Sequence, residues 1–473
     1  MELSSFFEGF FMDQKKYNES GATIAAISTS QAPGGIGIVR ISGPRAREIA
    51  DRVFVPLHKK SLNEIGGYCA LYGKVHDADG DIDEAVALNF RAPRSFTGED
   101  VVELSCHGGL AILRRLLRAV FQTGAVPAGP GEFTRRAFLN GKIGLTEAES
   151  VMQLVSAQGE QAAKAALAGH GGALERRIRS IREKLLGAAA HLSAWADYPE
   201  DDIPQVTEEE LTSSLGGVKT ELESLLRGFD AGRALREGVD TVIAGRPNTG
   251  KSTLMNLLAG CERSIVTDFA GTTRDIVEDT VLLGGIPLRL ADTAGLRDTA
   301  DPIEKAGVGR ARDRLRAARL ILAVFDASQE LEEEDRMLIR EIGQAPCIAV
   351  LNKIDLPMKI DKEFIESKIQ QIVSLSAKTG EGLSQLEDAV AELLGTKELD
   401  PADGMLYTER QRDAAERSMR SVDEALDALK SGMTFDAVTV SVEDAVSALL
   451  ELTGERATVA VVDSVFSQFC VGK

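Results

Sequence analysis

The spacing of apolar residues changes character three times along the chain. Between residues 21 and 140, short apolar runs (ATIAAIS, IGIVRISG, YCALYGKV, AVALNF, DVVELSC) are split by Gly- and Pro-containing turns. That texture predicts an α+β domain. From about Gly144 the pattern turns Ala-rich with helical spacing, in LTEAESVMQLVSAQGEQAAKAALAGH, and Thr146 with Glu149 is placed as a capping box. Helical patterning continues through Leu174–Trp195, breaks at DYPEDDIP (197–204), and resumes from Thr207 to about Arg236. Over 237–395 short apolar strands alternate with helices, the mark of an α/β fold with a parallel sheet. After Pro401 the pattern is helical again. The simplest geometry is an α/β domain inserted between two halves of one helical domain. The expected boundaries are an extension over 1–20, an α+β domain over 21–140, a first helical part over 141–236, the inserted domain over 237–396, and a second helical part over 397–473.

Composition narrows this picture. The 473 residues suffice for two to four domains, and 44% hydrophobic content lets each bury a core unaided. No run of about 18 apolar residues appears, so no transmembrane helix is expected. The first twenty residues contain FFEGFF but lack a basic start and a small-residue cleavage site. They read as a disordered lead-in, or as a translation start placed ahead of the real one at Met12. The cysteines Cys69, Cys106, Cys261, Cys347 and Cys470 are scattered without CxxC spacing. This points to a reducing cytoplasm and away from a zinc site. A net charge of -19 argues against a generic nucleic-acid-coating role, because phosphate neutralisation supplies most of such affinity.

The chemistry is concentrated in the inserted domain. The strand Val242–Ala244 runs into Gly245-Arg246-Pro247-Asn248-Thr249-Gly250-Lys251-Ser252, with Thr253 opening the helix that follows. This fits GxxxxGK[ST]: glycines let the backbone N–H groups curl around phosphates, Lys251 adds charge at the β/γ oxygens, and Ser252 ligates Mg²⁺. Asp292-Thr293-Ala294-Gly295 follows the strand PLRLA, where a Mg²⁺-side Asp and a γ-phosphate-facing N–H belong. Asn352-Lys353-Ile354-Asp355 follows CIAVL, and an Asp there can accept both N1–H and the 2-amino protons of guanine, a pair adenine does not offer. Ser376-Ala377-Lys378 follows IVSL and suits the loop behind guanine O6. Four such pieces in order, each after a strand, identify a GTP-hydrolysing domain.

Two details bear on mechanism. Leu296 stands where Ras-type GTPases place a water-orienting Gln, and no arginine finger is evident in cis. Asp298, Asp301 and Glu304 are the acids available downstream, and spacing does not choose among them. Thr273, within TDFAGTTRD, is the natural switch ligand of Mg²⁺. The Asn248 side chain, with nearby backbone carbonyls, is a candidate holder of a monovalent cation where a finger would otherwise point.

GRPNTGKSTLMNLLAG, TDFAGTTRD, DTAGLRD and NKID resemble the translation-factor-related GTPases that include Era and Der. The flanks are more specific. APGGIGIVRISG (32–43), SFTGEDVVELSCHGG (95–109), PGEFTRRAFLNGKIGLTEAE (130–149) and the terminal FCVGK resemble the MnmE (TrmE) family of tRNA uridine-modification GTPases, from about residue 21 to the end. The resemblance implies a Ras-like P-loop GTPase domain inserted in a helical domain. It also implies an N-terminal domain that binds 5-formyl- or methylene-tetrahydrofolate and forms the homodimer. It implies action on the wobble uridine of tRNA with an FAD-dependent MnmG-type partner, in a heterotetramer, and GTP hydrolysis driven by K⁺-dependent pairing of G domains.

By motif match, Asn248 becomes the K⁺ side-chain ligand, and Thr267, Phe269 and Thr272 its backbone ligands. Glu304 becomes the water-orienting acid, and Arg40, Glu103, Lys142 and Lys473 the folate contacts. The chain departs from the family in ending CVGK rather than CIGK, and in carrying Phe269 where an aliphatic residue is commoner. Cys470 reads either as a functional thiol beside folate or as a small residue fixing the tail. His107 reads as a turn or packing residue, and ERRIRSIREK (175–184) as a solvated helix face. The competing reading is a ribosome-assembly GTPase that binds ribosomal RNA, which the 130–149 segment and the tail disfavour.

Overall fold

The computed structural model describes residues 21–57, 60–197, 207–260, 279–290, 315 and 317–472. The chain divides into two compact units, Met1–Glu149 with Thr453–Lys473, and Ser150–Leu452.

In the first unit the apolar runs become a mixed sheet: β1 (Ile24–Ile27), β2 (Gly34–Ser42), β3 (Phe54–Pro56), β4 (Cys69–Asp77), β5 (Gly80–Phe90), β6 (Val101–Gly108) and β7 (Val126–Pro127). Their order is β3-β4-β5-β6-β2-β1-β7, antiparallel except for the β1–β7 pair. The short β3 and β7 carry too few residues to show alternation in the sequence. Helices α1 (Ala46–Asp51) and α2 (Leu110–Gln122) contribute Ile49, Leu113, Leu116 and Val120 to one core with Val39, Ile41, Val102 and Leu104 of the sheet. A third helix, α3 (Glu132–Leu139), follows.

Helix α4 (Leu145–Ser156) starts before the expected cap, with Thr146 inside its first turn. The Gly144 N–H is taken instead by the Glu147 carboxylate at 2.8 Å, half of a capping box whose other half a glycine cannot supply.

The second unit continues with α5 (Glu160–His170), α6 (Ala173–Asp197) and α7 (Glu208–Glu237). Its inserted part holds β8 (Val239–Ala244), α8 (Lys251–Gly260), β9 (Asp279–Leu283), β10 (Ile286–Leu290), β11 (Leu320–Asp326), α9 (Glu333–Ile342), β12 (Cys347–Asn352), α10 (Lys362–Glu366), β13 (Gln371–Leu375) and α11 (Leu383–Leu393). Two long helices, α12 (Glu409–Lys430) and α13 (Phe435–Thr453), complete it. Helices α6, α7, α12 and α13 share one core because each repeats apolar residues at alternating three- and four-residue steps. Leu174, Ile178, Ile181 and Leu185 form the α6 seam, and Leu211, Leu215, Val218, Leu222, Leu225 and Phe229 the α7 seam. The 175–184 cluster accordingly splits: Ile178 and Ile181 are buried, while Arg179 pairs with Glu175 along the solvent face at 2.7 Å. Helix α7 opens on a Thr207–Glu210 capping box and passes into β8 through Gly238 alone.

The inserted sheet has the order β13-β12-β11-β8-β10-β9, parallel except for β9 against β10. Strand β11 is buried throughout, sending Leu320, Leu322 and Val324 to one face and Ile321, Ala323 and Phe325 to the other. The C-terminal ends of β8, β11, β12 and β13 therefore lie along one edge, where open α/β sheets place their ligands.

The chain then returns to the first unit with α14 (Val459–Ser467). Phe466 packs near Phe138 at 6.2 Å and near Phe469 at 5.2 Å between ring centroids. Val471 bridges Pro130, and the Gly131 N–H donates to the Cys470 carbonyl at 3.2 Å. Among the described residues no helix is long and apolar enough to cross a membrane.

Leu222 is fully buried on the α7 seam. Leu222→Ala is expected to destabilise the helical core by about 2–5 kcal/mol, measured as a lowered denaturation midpoint in circular dichroism.

Candidate functional site

The loop between β8 and α8 curls because two of its glycines hold conformations closed to other residues. Gly245 has φ +155° and Gly250 φ +97°. A Cβ on Gly245 would lie 2.4 Å from the Val324 carbonyl oxygen, and one on Gly250 2.2 Å from Asn352 Nδ2. The crest residue Asn248 is exposed at φ +63°. Thr249 is buried, and its hydroxyl donates to the Arg246 carbonyl at 3.0 Å. Lys251 Nζ donates to the carbonyls of Gly245 and Arg246 at 2.7 and 2.8 Å. Ser252 and Thr253 lie exposed on the first turn of α8, where unpaired helix N–H groups favour an anion.

Arg246 is the one cation in this loop besides Lys251, and it is tied to side chains that follow β11. Its Nη2 donates to Gln329 Oε1 at 2.8 Å, its Nη1 meets Glu332 at 2.5 Å, and its Nε lies 3.1 Å from Asp335. The guanidinium is committed to the start of α9. Burial pushes the Asp335 carboxyl up, and the nearby charge of Arg246 only partly offsets this.

The base-side segments meet at one buried carboxamide. Asn352 ends β12, and its Nδ2 donates to the Thr249 carbonyl at 2.8 Å. Its Oδ1 accepts from the N–H groups of Lys353, at 2.8 Å, and Ala377, at 2.9 Å. Asn352 thus joins the phosphate loop, its own segment and the 376–378 loop. The Ser376 hydroxyl donates to Asp355 Oδ1 at 2.8 Å, aiming the carboxylate that guanine would require. Lys353, itself at φ +68°, donates from Nζ to the Asn248 carbonyl at 2.7 Å. Lys378 follows in the same loop after β13.

One further residue belongs to this group and the motifs do not contain it. Asp326 ends β11, in register with Asn352, and is buried. Its Oδ2 accepts from Lys353 Nζ at 2.6 Å, and its Oδ1 from the Ser328 hydroxyl and N–H at 2.6 and 3.0 Å. Burial alone would raise this carboxyl; the hydrogen bonds from Lys353 and Ser328 outweigh it and hold it below the usual carboxylate range. The available signal was an acid ending the apolar run LILAVFD in a parallel sheet.

Thr267, Phe269, Thr272, Thr273, Asp292, Thr293, Ala294, Gly295 and Glu304, with Asp298 and Asp301, lie outside the described residues, as does Lys473.

A second polar cluster lies in the first unit. Arg40 on β2 faces Glu103 on β6 in register, with Nε 2.8 Å from Glu103 Oε1. The guanidinium also donates to the Gly472 carbonyl at 3.2 Å and lies 5.5 Å from the Phe133 ring centroid. Lys142 instead donates to the Pro93 carbonyl at 3.1 Å. The Cys470 thiol is exposed; buried Phe469 and the backbone bond to Gly131 fix the tail. His107 is not a packing residue. It projects from β6 with 71% side-chain exposure, its Nδ1 2.9 Å from Asp83. No group of three metal-capable side chains occurs among the described residues.

Comparison with known proteins covers both units. A family model described as the TrmE N-terminus of GTP-binding proteins matches residues 23–142, and one described as the MnmE helical domain matches residues 145–470. The tRNA modification GTPase MnmE of Symbiobacterium thermophilum is 45% identical over 455 residues, covering 95% of this chain and 99% of that protein. The tRNA modification GTPase MnmE of Acetivibrio thermocellus is 40% identical over 456 residues, with the same coverage. Among solved structures, the G domain of the T. maritima FeoB iron transporter is 28% identical and covers 33% of this chain and 98% of its own, with a TM-score of 0.25.

The contact between Gly250 and Asn352 leaves no room for a methyl group. Gly250→Ala is expected to weaken binding of a fluorescent GDP analogue by at least about tenfold, the scale of a displaced buried hydrogen-bonding group, in a fluorescence titration.

Proposed function

The chain belongs to the MnmE family, and from that premise we propose that it is a GTPase that takes part in modifying the wobble uridine of tRNA. The observation that carries the reading is the join at Asn352, which puts a phosphate-binding loop and a guanine-selecting carboxylate on one sheet edge. The loop fits a phosphate chain because Gly245 and Gly250 hold φ values that let it curl where a Cβ would strike Val324 and Asn352, which leaves its N–H groups to meet an anion. The N–H groups of the loop and of Lys251, Ser252 and Thr253 hold the phosphates. Asp355 takes the guanine N1–H and 2-amino protons, with Ser376, Ala377 and Lys378 behind O6.

Ser252 and Thr273 would hold Mg²⁺ on the side of Asp292, and the ion would spread the charge of the phosphate oxygens. Asn248, through its side-chain oxygen, and the carbonyls of Thr267, Phe269 and Thr272 would hold K⁺. The Asn248 main-chain carbonyl is engaged by Lys353, which leaves the side chain for that task. Thr293, Ala294 and Gly295 line the γ-phosphate side. Glu304 orients the attacking water, the role Leu296 cannot take.

We assign residues 21–140 to the folate-binding and dimerisation domain, 141–236 and 397–473 to the helical domain, and 237–396 to the G domain, with 1–20 an extension; within these bounds Thr453–Lys473 packs in the first compact unit. Arg40 and Glu103 beside the Phe133 ring offer a cation, an acceptor and an apolar face, a set that fits an aromatic, acid-tailed group such as tetrahydrofolate. With Lys142 and Lys473 they would bind a 5-formyl- or methylene-tetrahydrofolate, which supplies the one-carbon unit, and the Cys470 thiol lies on that tail. The protein works in the cytoplasm as a homodimer, with an FAD-dependent MnmG-type partner and tRNA. K⁺-dependent pairing of its G domains completes the hydrolytic site.

Nucleoside analysis of tRNA from cells lacking this protein is expected to show loss of the C5 substituent on the wobble uridine; unchanged modification without a second gene copy would overturn the reading. GTP turnover is expected to be faster in KCl than in NaCl, and equal rates would remove the cation from Asn248.

A further inference from the structure

Lys353 and Asn248 are two of only three non-glycine residues with positive φ among the described residues. L residues rarely hold that conformation without support from their surroundings. Here the two strained positions face each other, and a single hydrogen bond joins them, Lys353 Nζ to the Asn248 carbonyl at 2.7 Å. A lysine amine on its flexible stem does not stay at one carbonyl unaided, because water competes for its protons and its rotamer freedom is large. Asp326 removes that freedom. It is 5% exposed, rooted at the end of a strand buried throughout, and it holds the same ammonium at 2.6 Å. Ser328 occupies the other carboxylate oxygen through two donors, so the carboxylate cannot turn away.

The neighbouring tie, from Asn352 Nδ2 to the Thr249 carbonyl, does not involve Asp326. The loop crest is therefore held to the base-side segment at two adjacent peptides, and only the Asn248 one depends on this carboxylate.

We propose that Asp326 is a positioning residue for bound guanine nucleotide: by fixing the Lys353 ammonium it locks residues 352–355 to the Asn248 crest, and so sets how long nucleotide stays bound. The proposal rests on the GTPase reading above. It assigns Asp326 an effect on affinity and residence rather than on the bond-breaking step, since the carboxylate faces Lys353 and Ser328. A negative charge is required, because an amide can offer its oxygen to only one of these donors and turns its own N–H groups on the other.

The test uses the full-length protein and a fluorescent GDP analogue, mant-GDP, with release followed by stopped flow. Asp326→Asn is expected to speed release by about tenfold or more, the scale of a lost charge-assisted hydrogen bond. The KM for GTP should rise by a similar factor, while kcat changes far less. Asp326→Asn and Lys353→Met should also be non-additive, the charge removal adding less than about twofold once Lys353 is gone. Ser328→Ala, which leaves the Lys353 contact in place, should have the smaller effect, and its melting temperature reports any general loss of fold. Unchanged release in Asp326→Asn, or a full additional effect in the Lys353→Met background, would overturn the proposal while leaving the GTPase reading intact. Wild-type protein that binds no mant-GDP would overturn that reading and the proposal together.

Discussion

The nucleotide edge of this protein depends on the placement of one carboxamide. Asn352 is buried and spends a donor and its acceptor on three separate segments, the phosphate loop, its own turn and the 376–378 loop. A buried polar group left unpaired costs about 1–3 kcal/mol, so each of the three segments must come to the others. The requirement also explains a covalent detail: only a residue without Cβ fits at position 250, against the Asn352 amide. Parallel pairing of β12 with β11 and β13 delivers the carboxamide to this point, and full burial of β11 keeps the strands in register.

Much of this was legible in the amino-acid sequence, and for a physical reason. Phosphate binding needs glycines at set intervals and guanine selection needs an acid after a strand, so both leave short contiguous signatures. The long helices were equally legible, because alternating three- and four-residue spacing of Leu, Ile and Val has few other readings. Asp326 was not, because its role arises from strand register, which places it beside Asn352 only once the sheet is built. His107, read as a turn or packing residue, lies instead on strand β6, whose alternation sends it outward between buried Cys106 and Gly108 to meet Asp83 on the adjacent strand. The start of α4 was misplaced at Thr146, since a glycine N-cap with Glu147 in the first turn lacks the usual side-chain signal.

The first unit shows a different economy. Its sheet buries one face beneath α1 and α2, but α3 finds part of its cover only in the last helix of the chain, through Phe138 and Phe466. Phe469 and the Cys470 carbonyl then pin the tail beside Gly131, and Gly472 reaches the Arg40 guanidinium. The residues that complete this unit thus come from segments far apart in the sequence, on either side of the second unit.

That closure has a cost in time. Arg40 and Gly472 are 432 positions apart, and a ribosome adding about 5–20 residues per second needs roughly 20–90 s to travel between them. Through that interval the Phe138 side of α3 lacks its Phe466 partner, since α14 follows the helical and nucleotide-binding parts in the sequence. The unit whose sheet precedes the second unit in the sequence is therefore completed only after it, and until then it exposes apolar surface of the kind that chaperones bind.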